Sequence, residues 1–258
     1  MYDTLHYGLG ALSGGLVGLT LGLVGGGGSI LAVPLMVYVV GVANPHVAIG
    51  TSALAVAVSA ATSLSHHARA HTVKWRCGAI YAGAGILGAL LGSTLGKAID
   101  GNKLLFLFAL VMLVVGGLML KNRKAVGIPG AQCSRENAVQ VVGYGLGTGT
   151  FSGFFGIGGG FLIVPGLMAS THMPMINAVG TSLVAVTAFG LTTALNYAAS
   201  GLVAWGIAVV FIAGGIVGGL AGTRLAGRLA GQGTLTTVFA VLIFVVAAYM
   251  LWQSWTAF

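Results

Sequence analysis

Two glycine-rich runs have the composition best suited to binding chemistry, and each precedes a short apolar stretch. Consecutive glycines leave backbone N–H groups uncovered, and the start of a following helix carries a partial positive charge. Two such turns facing each other would attract an anion without a charged side chain. The alternative is a purely structural hinge. The candidate substrate-binding residues in the two runs are Gly25, Gly27, Gly28, Ser29, Gly156, Gly158, Gly159 and Gly160.

A Gly-Thr-Ser element follows each run and supplies hydroxyl groups. The first ends in Thr51 and Ser52, and the second in Thr181 and Ser182. We expect these residues to open the following helix. Their hydroxyls then either cap that helix, bond to a preceding carbonyl, or donate to the anion pocket. All four are therefore candidate substrate-binding residues, and the alternatives remain open.

The pair His66 and His67 lies where an apolar segment meets a basic loop. Histidine titrates near neutral pH. The simpler interpretation is a solvated pair at the membrane interface. In the alternative, one of them faces the transport path and senses pH, opposite Asn196 and Tyr197 of the second half.

The acidic residues are informative because none lies in an apolar segment: Asp3, Asp100 and Glu136 are in predicted loops or at an end. Proton and cation carriers usually keep an ionisable group inside the bundle, so a cation substrate is disfavoured. No HExxH, GxSxG or Walker lysine motif is present, which argues against an enzyme. Cys77 and Cys133 are far apart and lack metal-ligand spacing, which argues against a disulfide or metal site. We expect no metal and no organic cofactor.

The composition requires lipid as the main solvent. Of 258 residues, 57% are hydrophobic and 5% are charged, and the mean hydropathy is +1.02; soluble domains carry about a quarter charged residues. This disfavours a soluble enzyme, a nucleic-acid-binding protein and a secreted disulfide scaffold. Long apolar segments that could span a bilayer cover residues 7–24, 45–65, 75–97, 103–121, 137–154, 174–197, 205–227 and 233–252, and shorter ones follow the glycine runs at 29–40 and 160–170.

The two halves of the chain repeat each other. The Gly-Thr-Ser element recurs after 130 residues, and so does Val73-x-Trp75 as Val203-x-Trp205. Shared Gly, Thr and Trp positions are stronger signals than shared apolar ones. Gly85, Gly88 and Gly92 recur as Gly215, Gly218 and Gly222, and their spacing predicts a helix face for close packing. The predicted division is a first transmembrane repeat over residues 1–121, a cytoplasmic linker over 122–136 and a second repeat over 137–258.

The basic residues favour an inverted arrangement of these halves. If the second half is inverted, nine of the eleven basic residues face the cytoplasm, and only Lys97 and Lys103 lie outside. Parallel halves would divide them seven to four, which fits the positive-inside rule less well. Inversion requires an odd number of crossings in each half. Each half is therefore predicted to have five helical segments, with both termini outside.

The sequence resembles the sulfite exporter family of the TauE/SafE type, also called the toluene sulfonate uptake permease family. The resemblance covers nearly the whole chain. It rests on Gly-Leu-Val-Gly-Gly-Gly-Gly-Ser at 22–29 leading to Val33-Pro34, on Gly-Phe-Phe-Gly-Ile-Gly-Gly-Gly at 153–160 leading to Val164-Pro165, and on both Gly-Thr-Ser elements. It implies a carrier in the bacterial or archaeal inner membrane for sulfite, sulfoacetate or another organosulfonate, with export more common than uptake. No ligand residue is carried over from the family.

The expected protein is therefore an all-α polytopic membrane protein with two inverted-topology repeats and glycine-rich broken hairpins. It would act as a secondary transporter by alternating access. Its expected partners are a small anion and the lipid bilayer, with coupling to protons and no nucleic acid. The alternatives are a transporter of another small anion or neutral solute, and a membrane scaffold that transports nothing.

Overall fold

The computed structural model describes residues 3–121, 128, 133–134, 136–157, 160–229 and 234–255, and in these ranges the regular structure is entirely helical. The all-α prediction is confirmed. The helices are α1 (Thr4–Val24), α2 (residues 25–39), α3 (Pro45–Arg69), α4 (Trp75–Ala98), α5 (Gly101–Lys121), α6 (Ala138–Phe155), α7 (Gly160–Thr171), α8 (Met175–Ala198), α9 (Trp205–Leu229) and α10 (Thr234–Trp255).

Several of these helices can cross a bilayer. Within the described residues, five are long and apolar enough by length and composition: Pro45–Arg69, Trp75–Ala98, Gly101–Leu118, Met175–Ala198 and Trp205–Leu225. A helix of 20 residues spans about 30 Å, the thickness of the hydrocarbon core. The chain is therefore a multi-pass membrane protein, as its composition predicted.

The helices that follow the glycine runs are short or irregular. Helix α2 consists of a 3-10 turn (Gly25–Leu31), one α turn (Ala32–Pro34) and a π turn (Leu35–Val39). Proline lacks an N–H group, and irregular helix geometry commonly accompanies it. Helix α7 has 12 residues with Pro165 inside, so it is only about 18 Å long.

The closest packing joins a helix of one half to a helix of the other. Helix α1 lies along α9: Gly14 meets Phe211, Gly18 meets Gly215, and Gly22 meets Gly219, each at backbone atoms. Residue numbers rise together in these contacts, so the two helices are parallel. Lipid provides no hydrophobic drive for helix association, and backbone contact through glycine replaces it.

The same arrangement joins α4 to α6. Gly88 meets Leu146, Gly92 meets Thr150, and Gly96 meets Phe154, so this pair is also parallel. The predicted packing role of the repeated glycine face is confirmed at these positions. Each half thus inserts its fourth segment against the first segment of the other half.

Helices α3 and α8 cross at the centre in opposite directions. Gly50 of α3 lies against Tyr197, near the end of α8, whereas Gly180, near the start of α8, lies against His67. Helix α3 is parallel to α9, since Ser59 meets Gly215 and Ser63 meets Gly219.

Helix α4 is parallel to α8, because Gly78 meets Val184 and Gly85 meets Phe189. Helices α1, α3 and α9 therefore run one way, and α4, α6 and α8 run the other. Corresponding segments of the two halves have opposite directions, as an inverted arrangement requires. Which end faces the cytoplasm stays a prediction.

The expectation that the two cysteines stay unpaired is wrong. Cys77, in the first turn of α4, is joined by a disulfide to Cys133 across a sequence separation of 56 residues. Sequence spacing could not show that the chain between the halves returns to the start of α4. In the same region Ile128 donates its N–H to the carbonyl of His172 at 2.8 Å. Most of the predicted linker, residues 122–136, lies outside the described residues.

Candidate functional site

The Gly-Thr-Ser elements lie inside helices rather than at their starts. Helix α3 begins at Pro45, and its N-cap is Asn44, whose side chain accepts the N–H groups of His46 and Val47. Helix α8 begins at Met175. The expectation that the threonines and serines open these helices is therefore wrong by about two turns. Proline at the first helical position, preceded by asparagine, was the stronger start signal.

Each threonine holds the start of a helix from the other half. Thr51 Oγ1 accepts the backbone N–H of Ala204, immediately before α9, at 2.9 Å. Thr181 Oγ1 accepts the N–H of Lys74, immediately before α4, also at 2.9 Å. Both threonines are fully buried. We call these two reciprocal hydrogen bonds the Thr51 clasp and the Thr181 clasp.

The two clasps lie at opposite ends of the bundle. The Thr51 clasp is at the end where α4 and α8 finish, and the Thr181 clasp is at the end where they begin. The glycine before each threonine permits the approach. A Cβ at Gly50 would strike the carbonyl of Leu202, and one at Gly180 would lie 2.6 Å from the hydroxyl of Thr72.

Three hydroxyl protons of the Gly-Thr-Ser elements are engaged within their own helices. Thr51 donates to the carbonyl of Val47 at 2.6 Å, Ser52 to Ile49 at 3.0 Å, and Ser182 to Val179 at 2.7 Å. For these three residues the hydroxyl therefore bonds to a preceding carbonyl, which was one of the expected alternatives. A donor role toward an anion stays a prediction, and it requires these hydroxyls to rotate away from their carbonyls.

The first glycine turn is helical rather than open. Residues 25–31 form a 3-10 helix, in which N–H groups point to carbonyls three residues earlier. Gly28 is packed against the backbone of Thr20 and Leu21, so a side chain there would collide. Ser29 is fully buried. Of Gly25 and Gly27 the structure describes the backbone alone.

The second glycine turn begins at Gly156, which ends α6 in the left-handed region at φ +67°. Its N–H donates to the carbonyl of Ser152 at 2.9 Å. A Cβ on Gly156 would strike Ile49 of α3, so this turn lies beside the helix that carries Thr51. Gly160 begins α7 and is buried. Gly158 and Gly159 lie outside the described residues.

The two glycine turns belong to one packed region. The 3-10 segment of the first turn contacts α7, the helix that follows the second turn, and also α8. The described turn glycines Gly28 and Gly156 are closely packed against neighbouring helices. The substrate-binding role predicted for the glycines stays a prediction.

The two candidate histidines differ in their surroundings. Both are partly exposed in the last turn of α3. His67 Nδ1 lies 3.0 Å from the hydroxyl of Thr72 and beside Gly180, so it touches the Thr181 clasp region. Nothing places His66 against that region in the same way. The pH-sensing role of either residue stays a prediction.

A polar cluster at the opposite end was missed by the sequence analysis. The Lys97 ammonium donates to the side-chain oxygen of Asn196 at 2.7 Å, to its carbonyl at 3.2 Å and to Ser200 Oγ at 2.8 Å. Asn196 also donates to Ser93 at 2.6 Å. These contacts fix the end of α4 against the end of α8. A lysine at the end of one span and an asparagine near the end of another were the available signal.

Comparisons with known proteins agree with a membrane protein. The family described as sulfite exporter TauE/SafE matches residues 10–250. A Xylella fastidiosa (strain Temecula1) protein named a probable membrane transporter protein is 54% identical over 254 residues, covering 95% of each chain. The Bacillus subtilis (strain 168) protein named probable membrane transporter protein YunE is 26% identical over 264 residues, covering 93% of this chain and 96% of its own. No solved structure matches the chain significantly.

Proposed function

We propose that this chain, which belongs to the sulfite exporter TauE/SafE family of membrane transporters, moves a small sulfur-containing anion across the membrane by alternating access. Sulfite, sulfoacetate and other organosulfonates are the substrate candidates, and export is the favoured direction. The membrane is the inner membrane of a bacterium or archaeon, with both termini outside the cytoplasm.

The reciprocal clasps are the observation that carries this proposal. At each end of the bundle a threonine of one half accepts a backbone N–H of the other half, at the same 2.9 Å distance. A carrier must open one end while the other stays closed. Breaking the Thr51 clasp would free the start of α9, and breaking the Thr181 clasp would free the start of α4. In this proposal, the state with both clasps intact is the occluded one.

An anion suits this interior better than a cation does. The described spanning helices contain no carboxylate. Oriented backbone amides and hydroxyls can hold negative charge without one. The helix directions in the fold support the inverted arrangement, which would bring equivalent groups of both halves toward one path.

Proton coupling is assigned to the Thr181 end. His67 lies against Thr72 and Gly180 there, and a change in its charge would alter the contact beside that clasp. Movement of one proton with each anion would then link the opening of this end to pH.

Ligand-dependent thermal stabilisation of the detergent-solubilised protein tests the substrate assignment. A ligand that binds the folded state raises the melting temperature by mass action. We expect sulfite or sulfoacetate to stabilise at concentrations where chloride does not. Stabilisation by chloride alone would favour a carrier of another anion. No stabilisation by any anion, with cellular function retained in clasp variants, would favour a scaffold.

A further inference from the structure

Two buried polar atoms without partners lie at the Thr51 end of the bundle. Tyr197, in the last turn of α8, is fully buried, and its hydroxyl makes no hydrogen bond. His46, in the first turn of α3, packs on it with ring centroids 6.4 Å apart. The His46 Nδ1 is also buried without a partner. Buried polar groups in folded proteins are nearly always satisfied, so both atoms of this adjacent pair are available to bond a ligand oxygen.

The ammonium group of Lys97 lies near the ring of the same tyrosine. Lys97 Nζ is 5.8 Å from the centroid of the Tyr197 ring. The three oxygens that hold this ammonium, on Asn196 and Ser200, are all neutral. Its charge is therefore not cancelled in these contacts, and it favours negative charge nearby.

A cavity of about 460 Å³ opens beside His46. It is lined by Ala43, Asn44, Pro45, His46, Asp100, Gly101 and Asn102. Asp100 also lines the cavity, and its Oδ1 caps the start of α5 by accepting the N–H groups of Asn102 at 3.0 Å and Lys103 at 3.2 Å. Helices α3 and α5 both begin at the cavity, so their positive ends face it.

The pair occurs at this end of the bundle alone. Displacement by 130 residues turns Tyr197 into His67, His46 into Ile176 and Lys97 into Gly227. His67 Nδ1 has a partner in Thr72, and isoleucine has no polar atom. The unpartnered pair is therefore not a general consequence of the repeated fold.

We propose that His46 and Tyr197 form an oxyanion-binding site at the Thr51 end of the bundle, close to Lys97. The Tyr197 hydroxyl and the His46 Nδ1–H donate to the anion, and Lys97 supplies the positive charge. The site adjoins the Thr51 clasp, because Gly50 packs against Tyr197. It would hold the anion just outside that clasp. This inference rests on the proposed function and adds a second binding site for the same substrate.

A titration of the detergent-solubilised full chain with sulfite tests the site, using Tyr197→Phe. The variant removes only a hydroxyl that has no partner, so it should melt at the wild-type temperature. We expect its sulfite dissociation constant to rise about tenfold, the effect of losing one hydrogen bond to a charged ligand. Tyr249→Phe is the matched control, because that tyrosine is exposed on α10, and its affinity should be unchanged.

The outcomes separate this site from the proposed function. An unchanged dissociation constant in Tyr197→Phe, or an equal rise in Tyr249→Phe, would overturn the site. Absence of sulfite binding by the wild type would overturn it as well. Binding that weakens in Tyr197→Phe, while wild-type proteoliposomes move no sulfite, would leave the site standing and reject the transport proposal.

Discussion

At the scale of single residues, the two threonines of the Gly-Thr-Ser elements perform the same task in opposite directions. Each threonine has a hydroxyl oxygen that accepts an N–H from a chain segment of the other half. The N–H groups that donate lie just before α4 and α9, so a single methyl-for-hydroxyl exchange would release the start of a long helix. The motif therefore acts as a joint between the halves in this state, whatever it does when a solute enters.

Replacing either threonine with valine should destabilise the protein. Thr51→Val or Thr181→Val leaves a partly buried N–H without its acceptor, which costs about 1–3 kcal/mol of unfolding free energy. Unfolding is measured in mixed micelles as the concentration of a denaturing detergent is raised. Thr192→Val is the matched control, because its hydroxyl bonds only to the carbonyl of Ala188 in its own helix. If Thr192→Val loses as much unfolding free energy as the clasp variants, the stabilising role of the two clasps would be contradicted.

The sequence predicted which residue types matter here, but not what they bond to. Repetition after 130 residues identified Thr51 and Thr181 as special. Their partners are 153 and 107 residues away in the chain. No local pattern encodes a contact of that length, because it depends on how the two halves interlock.

At the scale of helices, glycine positions determine which surfaces meet. Within α4, Gly92 lies against the backbone of Thr150, whereas Gly83 has open space around it. The spacing of Gly85, Gly88 and Gly92 predicted a packing face, and the structure confirms one. Its partner, the first segment of the other half, could not be deduced from the spacing alone.

Alanine substitutions within α4 separate packing from helix propensity. Gly92→Ala places a methyl group on the Thr150 carbonyl and should cost about 1–3 kcal/mol through overpacking. Gly83→Ala should be neutral or stabilise by up to about 1 kcal/mol, because alanine favours helix. The same unfolding assay in mixed micelles measures both. Equal effects of the two substitutions would contradict the assigned α4–α6 contact.

The disulfide between Cys77 and Cys133 ties the chain between the halves to the start of α4. These are the only cysteines in the sequence, so a maleimide gel-shift assay on the denatured protein is unambiguous. We expect no adduct without reductant and two adducts after reduction. Two adducts without reductant would show that the thiols are free.

At the scale of the whole molecule, two general rules disagree about the end that carries Cys77. The basic residues Arg69, Lys74 and Arg76 flank it, which favours the cytoplasm. Structural disulfides are instead favoured outside the cytoplasm. The charge pattern involves nine of eleven basic residues, so we retain the cytoplasmic assignment for this end.

Labelling from one side of the membrane tests that orientation. In a variant with serine at both cysteine positions, Ala199→Cys places a thiol in the exposed loop before α9, and His71→Cys places one in the exposed loop before α4. An impermeant maleimide added to intact cells should label Ala199→Cys alone. Permeabilised cells provide the control for total reactivity. Labelling of His71→Cys in intact cells, with Ala199→Cys protected, would invert the assignment.

Most of the architecture followed from the sequence, while the state of the site did not. Lipid-compatible composition, ten helical segments and the repeat were readable from residue types and spacing. The closed packing around Gly28 and Gly156 was not, because an open and a closed turn have the same sequence. The sequence also could not show that the Tyr197 hydroxyl lacks a hydrogen-bond partner, because a single tyrosine near the end of a helix does not indicate what its hydroxyl contacts.

Counterflow in proteoliposomes tests the central claim most directly. Vesicles preloaded with unlabelled sulfite are diluted into a trace of labelled sulfite, and uptake of label is followed with time. An alternating-access carrier exchanges one anion for another, so we expect label to accumulate transiently above its equilibrium level, and faster than in vesicles without preloaded sulfite. Uptake no greater than in protein-free liposomes, or uptake unaffected by preloading, would contradict the account.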